Sequence, residues 1–417
     1  MIVVVGGGIT GLAVGLELQK RGVDFVILEA SSRPGGVIRS HRLGDRILDW
    51  GPQRARLTQG ILNLVRELNL EDAVIPAAPG LDLFIFKGGR LRRVPFSAGA
   101  FFTSDIVGWS AKARLLLEPF TRGVDSTERV GAFFRRKVGD DLYETLIAPL
   151  YGGLYGSDPD NMEVGLSLIH VLREFDIGRS LLLPLLKRGG RIRPPAACTF
   201  EGGMETLPRA MAEALGDRLR LDSPVTTLDR TGSHWTVRLS GETLEAHRVV
   251  LTTPAPVAAS LLEATDPTLA AAARSLRYNP LAVVHLDAET ELKGLGFQVA
   301  FTEPLRLRGV TFNHSLFGRR NLYTAYLGGA RHPDVAEMDD ERLAAIAVEE
   351  FRTCTGYDAE PLEVEHERMP AWDLTWRAIQ GLTPPPGLHI AANWWSRPGL
   401  PGRIAEAKRV ATLARIR

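Results

Sequence analysis

The sequence predicts an α/β fold, and three observations predict it. An apolar run, Ile2 to Val5, leads directly into the glycine-rich turn Gly6-Gly7-Gly8-Ile9-Thr10-Gly11 and then a helical stretch. A second apolar run, Phe25 to Leu28, ends in Glu29. Further on, a helical middle gives way to alternating strands, and apolar strands of the first kind return at Val249–Thr252 and near the end of the chain.

Ile2 to Val5 is rich in β-branched residues and reads as a buried strand of a parallel sheet. Gly6, Gly8 and Gly11 form G-x-G-x-x-G. The first allows the tight turn, the second a close approach of backbone to a pyrophosphate, and the third close packing of helix on strand. The helix is expected from about Gly11 to Arg21, ending in Lys20, Arg21 and Gly22, which suit a helix C-terminus. Glu29 lies eighteen residues after Gly11, where an acidic ribose ligand belongs. This strand–turn–helix–strand–acid order is the Rossmann-like dinucleotide signature, and it leaves FAD and NAD both open. The next stretch, Ala30 to Ser40, favours FAD. Arg33, Gly35, Gly36 and Ser40 match the R-x-G-G-x-x-x-[ST] run of many two-domain flavoproteins, in which paired glycines bring amides to the phosphates and Arg39 adds charge. Replacing Gly8 by valine is expected to abolish FAD binding.

The 417 residues, with 50 Lys+Arg, 49 Asp+Glu and a net charge of +1, give no electrostatic case for nucleic acid. Cys198 and Cys354 make no C-x-x-C, and the nine histidines show no ligand spacing, so neither a disulfide framework nor a metal is expected. With a core strand starting at residue 2 and no apolar run near the ~18 residues of a membrane helix, the expected location is cytoplasmic.

Arg46 to Gln53 reads as strand and turn, and Ile61 to Leu70 as helix. Leu83–Phe86 and Leu91–Pro95 flank a Lys87-Gly88-Gly89-Arg90 hairpin turn. Arg90, Arg92 and Arg93 cluster there, as a solvated hairpin tip or as carboxylate ligands. From Phe96 to Arg191 the pattern is helical: Ala111–Phe120, Arg129–Val138 entered at Asp125-Ser126-Thr127-Glu128, Tyr143–Leu150 and Leu166–Glu174. Phe101, Phe102, Ile106 and Trp109 belong either to an ordinary core or to an amphipathic membrane-facing surface. Gly189-Gly190 and Pro194-Pro195 mark a boundary. A helix, Thr206–Leu215, and strand and turn over Leu219–Leu228 follow. The strands His234–Leu239 and Leu244–Thr252, joined at Ser240-Gly241, are expected to form a hairpin returning to the first sheet. Leu281–Ala288, Phe297–Phe301, Leu307–Phe312 and Leu322–Leu327 form a second β block. Two helices and a turn-rich stretch to Pro384-Pro385-Pro386, the strand Gly387–Asn393 and a terminal helix complete the chain. The expected division is 1–95, 192–265 and 386–417 for a nucleotide domain with discontinuous segments, 96–191 for an inserted helical domain, and 266–385 for a mixed-sheet substrate domain.

The order of these motifs resembles the FAD-dependent protoporphyrinogen oxidase family, within the flavin amine oxidase and desaturase group. Val130 to Asp140 resembles its V-G-x-F-x-R-R-x-x-G, Leu146 to Ser157 its "L-I-x-P-x-x-x-G-I-Y-A-G", and Gly202 to Pro208 its G-G-[LM]-x-x-L-P. Gly309–Phe312 and Leu327–Arg331 resemble its substrate-domain strands. The resemblance implies noncovalent FAD held at Gly6, Gly7, Gly8, Ile9, Thr10, Gly11, Glu29, Ala30, Gly36, Val37, Arg39, Gly51, Pro52, Gln53, Arg54, Val225, Asn393, Pro398, Gly399 and Leu400. It places Gln298, Thr311 and Tyr326 against a tetrapyrrole substrate. It implies oxidation of protoporphyrinogen IX or coproporphyrinogen III to the porphyrin in heme biosynthesis, with O2 as acceptor. Product aromaticity supplies driving force, so no catalytic base is required and no catalytic residue is assigned. The chain departs from the family in places: Asp82 and Leu83 stand where an arginine often grips a propionate, Gln53 replaces an arginine, Ala392 replaces a glycine, and Gln298 and Thr311 are more polar than the usual aliphatic pair. An amine oxidase, for which Lys293 and Trp394-Trp395 are the candidate lysine and aromatic pair, and a non-catalytic flavoprotein are the alternatives. Oligomeric state is not legible.

Overall fold

The structure is a computed structural model in which residues 1–187, 196–396 and 398–415 are described. The Gly189-Gly190 and Pro194-Pro195 boundary signal lies outside the described residues. The chain forms two units: Met1–Ala77 with Pro195–Leu276 and Ala378–Arg417, and Ala78–Pro194 with Arg277–Arg377.

The first unit carries a five-stranded parallel sheet in the order Leu219–Arg220, Phe25–Leu28, Ile2–Val5, Arg248–Leu251, Leu388–Ile390. Every residue of Ile2–Val5 is buried, which explains a continuous apolar run in place of alternation. The helix Ile9–Lys20 packs between Thr206–Leu215 and Leu400–Arg415 around a core that includes Leu12, Leu16, Ile27, Leu207, Ile404 and Val410. At Gly15 a Cβ would lie 2.5 Å from Ile27 Cδ1, so the helix rests on the strand without room for a side chain. The helix starts two residues earlier than the sequence suggested, because Gly8 in extended conformation is its N-cap. The expected strand Leu244–Thr252 is two strands. Glu242–Ala246 pairs with His234–Leu239 in a separate antiparallel sheet, and only Arg248–Leu251 enters the parallel sheet. The switch at His247 re-aims the chain between two sheets, which an alternating stretch read as one strand does not display.

The second unit carries a seven-stranded sheet in the order Glu360–Pro370, Tyr278–Asp287, Leu322–Gly328, Leu307–Thr311, Gly296–Val299, Leu83–Lys87, Arg90–Arg93. All neighbours are antiparallel except Gly296–Val299 with Leu83–Lys87. The Leu83–Arg93 hairpin therefore belongs to this sheet, and the chain leaves the first unit at Ala77 and not near residue 95. Gly88 and Gly89, at φ +60° and +74°, supply the left-handed pair that a two-residue hairpin turn demands. The helix Asp340–Thr355 covers one sheet face, where Phe86, Val284, Phe297, Val310, Tyr323 and Phe351 form the core. Its Asp339 caps the first turn and Gly356, at φ +79°, ends it. Glu360–Pro370 was not foreseen as a strand. Its alternation is Leu362, Val364 and His366 against glutamates, so its period of two is carried by charge contrast, as suits an edge strand.

The middle of the chain folds as short helices of this second unit, Trp109–Leu115, Val130–Val138, Ala148–Gly153 and Ile169–Glu174 among them. The V-G-A-F-F-R-R-K run is a structural clasp. Arg135 forms a two-pronged ion pair with Asp160, whose Oδ1 also accepts the Tyr143 hydroxyl at 3.1 Å. Arg136 grips Glu128 in the same way. Lys137 and Glu118 are wholly buried with Nζ 3.3 Å from Oε1, and burial pushes the Lys137 ammonium below its usual range. The Asp125–Glu128 stretch is a local turn, with Thr127 N–H on Asp125 Oδ1, and the helix begins at Val130.

Candidate cofactor site

In the first unit the glycine turn is built by three different constraints. Gly6 sits at φ +107°, a region closed to side-chain-bearing residues. A Cβ on Gly11 would stand 1.9 Å from the Gly6 carbonyl oxygen, so Gly11 is a packing glycine. A Cβ on Gly8 would meet only Gly36 Cα, at 3.9 Å, so Gly8 opens onto space. Gly36, at φ +61°, faces it in turn, its own Cβ position 3.3 Å from Gly8 Cα. A backbone bond from Gly35 N–H to Gly7 O (2.9 Å) ties the two turns together. No side chain caps the helix at Gly8, so the N–H groups of Ile9, Thr10 and Gly11 stand at the positive end of the helix dipole. A bare-backbone cradle with a helix N-terminus is the donor set that a dinucleotide pyrophosphate requires, and the residues present fit FAD.

Glu29 does more than the sequence assigned to it. Its Oε2 accepts the Gly7 N–H (2.6 Å), and its Oε1 accepts the Ser31 N–H (2.9 Å) and hydroxyl (2.7 Å). The carboxylate first shapes the turn, and about one of its roughly four acceptor positions is left for a ribose hydroxyl. Arg33 closes the second turn: its guanidinium donates to Gly36 O at 2.8 Å and Ile38 O at 3.4 Å. Ala30, Gly36 and Val37 are exposed, Val37 by 60%. Arg39 lies with Cζ 5.8 Å from the Trp50 ring centre. Gly51, at φ +77°, turns the chain against the Val37 carbonyl, 2.5 Å from its would-be Cβ. Pro52 is half-buried, Gln53 is buried with its amide on Asp49 O, and Arg54 is exposed. Val225 opens the strand Val225–Thr231 at a bulge. Asn393 follows the last sheet strand, and Pro398 and Gly399, at φ +86°, precede the helix Leu400–Arg415. Arg397 lies outside the described residues.

Three supports escaped the sequence reading. Thr252 donates its hydroxyl toward Val5 O (2.9 Å) and Gly6 O (3.0 Å), bracing the glycine turn from the neighbouring strand. Buried Asp49 accepts from the Ser40 hydroxyl (2.6 Å) and Met204 N–H (2.8 Å), while Glu205 accepts the Ser40 N–H (2.7 Å). Ser40 and the Gly203-Met204-Glu205 run, two motifs far apart in sequence, thus latch onto each other, and Gly203 leaves no room for a Cβ beside Ser40. Buried Arg403 holds the loop before its helix through Ala391 O (3.3 Å) and Ser396 Oγ (2.8 Å), and burial pulls its pKa down to about 10. The signals were present, a Thr ending an apolar strand and an acid ending another, but spacing alone does not say which side chains meet.

In the second unit, Gln298, Thr311 and Tyr326 occupy the sheet face opposite the helix-covered core. Their strand neighbours Phe297, Val310, Ala325 and Leu327 point into that core. Gly309 pairs with both Gln298 and Tyr326, and the Thr311 and Tyr326 hydroxyls stand 3.4 Å apart. Gly153 approaches within 2.9 Å, at its Cβ position, of Gln298 Oε1. Arg90 and Arg92 are engaged by Asp105 (2.6 and 2.5 Å) and Arg93 by Asp82 (2.6 Å), so the hairpin arginines are not waiting for a carboxylate. Trp394 and Trp395 meet edge to face at 81°, and Trp394 is fully buried with its Nε1–H on Thr253 O (3.0 Å), so they do not form a parallel pair. Lys293 is exposed.

A family model for flavin-containing amine oxidoreductases matches residues 9–413. The chloroplastic protoporphyrinogen oxidase of Nicotiana tabacum is 25% identical over 391 residues, 84% of this chain and 71% of that one. The coproporphyrinogen III oxidase of Bacillus subtilis is 25% identical over 418 residues, 89% and 87% of the two chains. Among solved structures, a provisionally named protoporphyrinogen oxidase from Exiguobacterium sp. 255-15 superposes with a TM-score of 0.81 at 23% identity, covering 99% and 98% of the chains.

Proposed function

We propose that this chain, which belongs to the flavin-containing amine oxidoreductase family and is an FAD-dependent oxidoreductase, dehydrogenates a porphyrinogen to a porphyrin in heme biosynthesis. The observation that carries the substrate reading is the run of relatives: both protoporphyrinogen and coproporphyrinogen III oxidases align over most of their own length and of this chain. The sheet face bearing Tyr326 supports it, because an aromatic ring beside small and uncharged groups suits a large planar ligand.

When bound, FAD would supply a two-electron acceptor used three times per macrocycle, with O2 the final oxidant, reduced to H2O2 each time, in this reading. The chain's own share is placement. Amides of Ile9, Thr10 and Gly11 would hold the pyrophosphate at the helix N-terminus, Glu29 would take a ribose hydroxyl, and the bare backbone at Gly8 leaves room for the phosphates to approach. FAD is held noncovalently in this reading; both thiols are buried, and burial pushes Cys198 up to about 11. Tyr326, Thr311 and Gln298 orient the macrocycle. Because the product is aromatic, no base is assigned.

The test is porphyrin fluorescence during aerobic incubation of the purified holoprotein with protoporphyrinogen IX and with coproporphyrinogen III. FAD-dependent growth above autoxidation with one of them establishes the reaction and chooses the substrate. No growth with either, together with peroxide release from a polyamine, assigns the chain to amine oxidation.

A peripheral membrane contact belongs to the same proposal. Among the described residues no helix is long and apolar enough to cross a membrane. Yet among the described residues eight of the twelve exposed large hydrophobic side chains fall between Phe102 and Leu183, led by Phe120 (79%) and Trp109 (74%). Ile106 of the same stretch is core. Flotation with anionic vesicles that weakens in a Trp109→Ser/Phe120→Ser variant is the expected result. Equal flotation of both proteins contradicts it.

A further inference from the structure

The strand Leu307–Thr311 carries a β-bulge between Leu307 and Gly309, and the residue at the irregularity is Arg308. A bulge turns one side chain away from the regular in-and-out alternation. Here it delivers a guanidinium to a place where, among the described residues, no carboxylate forms an ion pair with it. Arg308 Nε is sealed from solvent and has no hydrogen-bond partner. Its Cζ sits 4.4 Å from the centre of the Phe301 ring, and the Cζ of Arg331 sits 4.4 Å from the same ring. Arg331 spends one donor on Phe301 O (2.8 Å) and is otherwise exposed. Among the described residues neither arginine forms an ion pair.

The neighbouring arginine shows the contrast. Arg306, two residues earlier, is clasped by Asp334 through Nε (2.9 Å) and Nη2 (2.8 Å). Asp158 is the carboxylate whose charge acts on Arg308; the two form no ion pair among the described residues, and Asp158 already accepts the Asp160 N–H at 3.0 Å. Burial, and next the Arg331 charge, hold the Arg308 guanidinium down near a pKa of about 10. Burial and the same Arg308 charge push His332 below its usual range. A buried donor without a partner and two like charges on one ring are both costly in a folded protein. An anion that met both guanidiniums would remove both costs. The site is held firmly: Ala330 N–H bonds Gly156 O at 2.8 Å, and a Cβ on Gly329 would fall 2.6 Å from that same oxygen.

We infer that Arg308 and Arg331, stacked on Phe301, form a carboxylate-binding clamp that takes an acidic side chain of the substrate. This rests on the porphyrinogen reading for the identity of the substrate, since each candidate macrocycle carries carboxylate side chains. The planar fork of an arginine meets a carboxylate with two parallel bonds. The clamp supplies positive charge that the Asp82-Leu83 entry to the first hairpin strand lacks and that Arg90, Arg92 and Arg93 cannot give, being already paired.

The experiment measures binding separately from turnover. Coproporphyrin III and its tetramethyl ester are titrated against the holoprotein and against Arg308→Leu and Arg331→Gln variants, with inorganic phosphate as a third probe read by thermal shift. The wild type is expected to bind the free acid at least about tenfold more tightly than the ester. Arg308→Leu is expected to erase that preference while leaving ester affinity unchanged, and Arg331→Gln, an exposed position that does not threaten folding, to reduce it in part. Where the holoprotein turns over a porphyrinogen, KM for the acid rises with kcat held. Equal affinity of the wild type for acid and ester, or variants that weaken both ligands alike, overturns the clamp. Stabilisation by phosphate without acid–ester discrimination also overturns it, in favour of a free inorganic anion. Acid-selective binding that depends on Arg308, without turnover of either porphyrinogen, sinks the proposed reaction but leaves the clamp standing.

Discussion

In the first unit the turns Gly6–Gly11 and Gly35–Gly36 meet as bare backbone, whereas in the second unit the face proposed for substrate is lined by the side chains of Gln298, Thr311 and Tyr326. The difference teaches how each kind of site is specified. A backbone site is specified by what is missing: the Cβ that would collide at Gly11, or fill the gap at Gly8. A side-chain site is specified by register, because one residue of slip turns each side chain to the other face.

Gly8→Val sharpens the comparison most. The protein is expected to fold, since Gly8 has negative φ and open space, but to lose FAD altogether. A native melting profile without flavin absorbance checks it, and a holo spectrum contradicts it. Gly11→Ala should do the reverse. A Cβ 1.9 Å from a carbonyl oxygen forces the helix off the strand, at a cost of about 3 kcal/mol, and the melting temperature should fall before any question of flavin arises. If both variants bind FAD and melt alike, the division of labour within the motif is wrong.

On the other sheet, Tyr326→Ala should raise KM for the porphyrinogen roughly tenfold by removing the ring. Tyr326→Phe, which loses only a 3.4 Å hydroxyl contact, should stay within about twofold. Equal effects from both would mean that the hydroxyl, not the ring, meets the substrate.

The smallest effect concerns pH. Burial, and then the Arg248 charge, lower the His389 pKa in the parallel sheet. Below its unfolded pKa of about 6.5 the unfolded chain takes up a proton that the folded chain refuses. Stability is therefore full above that value and declines as pH falls through it. Chemical denaturation at pH 7.5 and pH 5.5 should show a smaller loss in His389→Gln than in the wild type, and identical losses would remove His389 from the account.

The sequence displayed the backbone site because glycine spacing is a one-dimensional record of missing side chains, and the acid at Glu29 ends a strand whose length is fixed. It did not display that Glu29 is already bound to Gly7 and Ser31, or that Ser40, Asp49 and Glu205 interlock, because those contacts cross up to 165 residues of chain. The split at His247 and the strand Glu360–Pro370 were hidden for a related reason. One is a change of sheet within an alternating stretch, and the other is an edge strand patterned by charge. The bulge at Arg308 leaves no mark in composition or period at all.

The central claim is that this FAD-dependent oxidoreductase takes its electrons from a porphyrinogen. The most direct measurement mixes the oxidised holoprotein with protoporphyrinogen IX or coproporphyrinogen III without oxygen and follows flavin absorbance and porphyrin fluorescence together. The account predicts that the flavin bleaches with one of the two, each flavin taking two of the six electrons, and that admitting O2 restores the flavin and lets porphyrin fluorescence grow to completion. Flavin that stays oxidised with both porphyrinogens yet bleaches with an amine would contradict it.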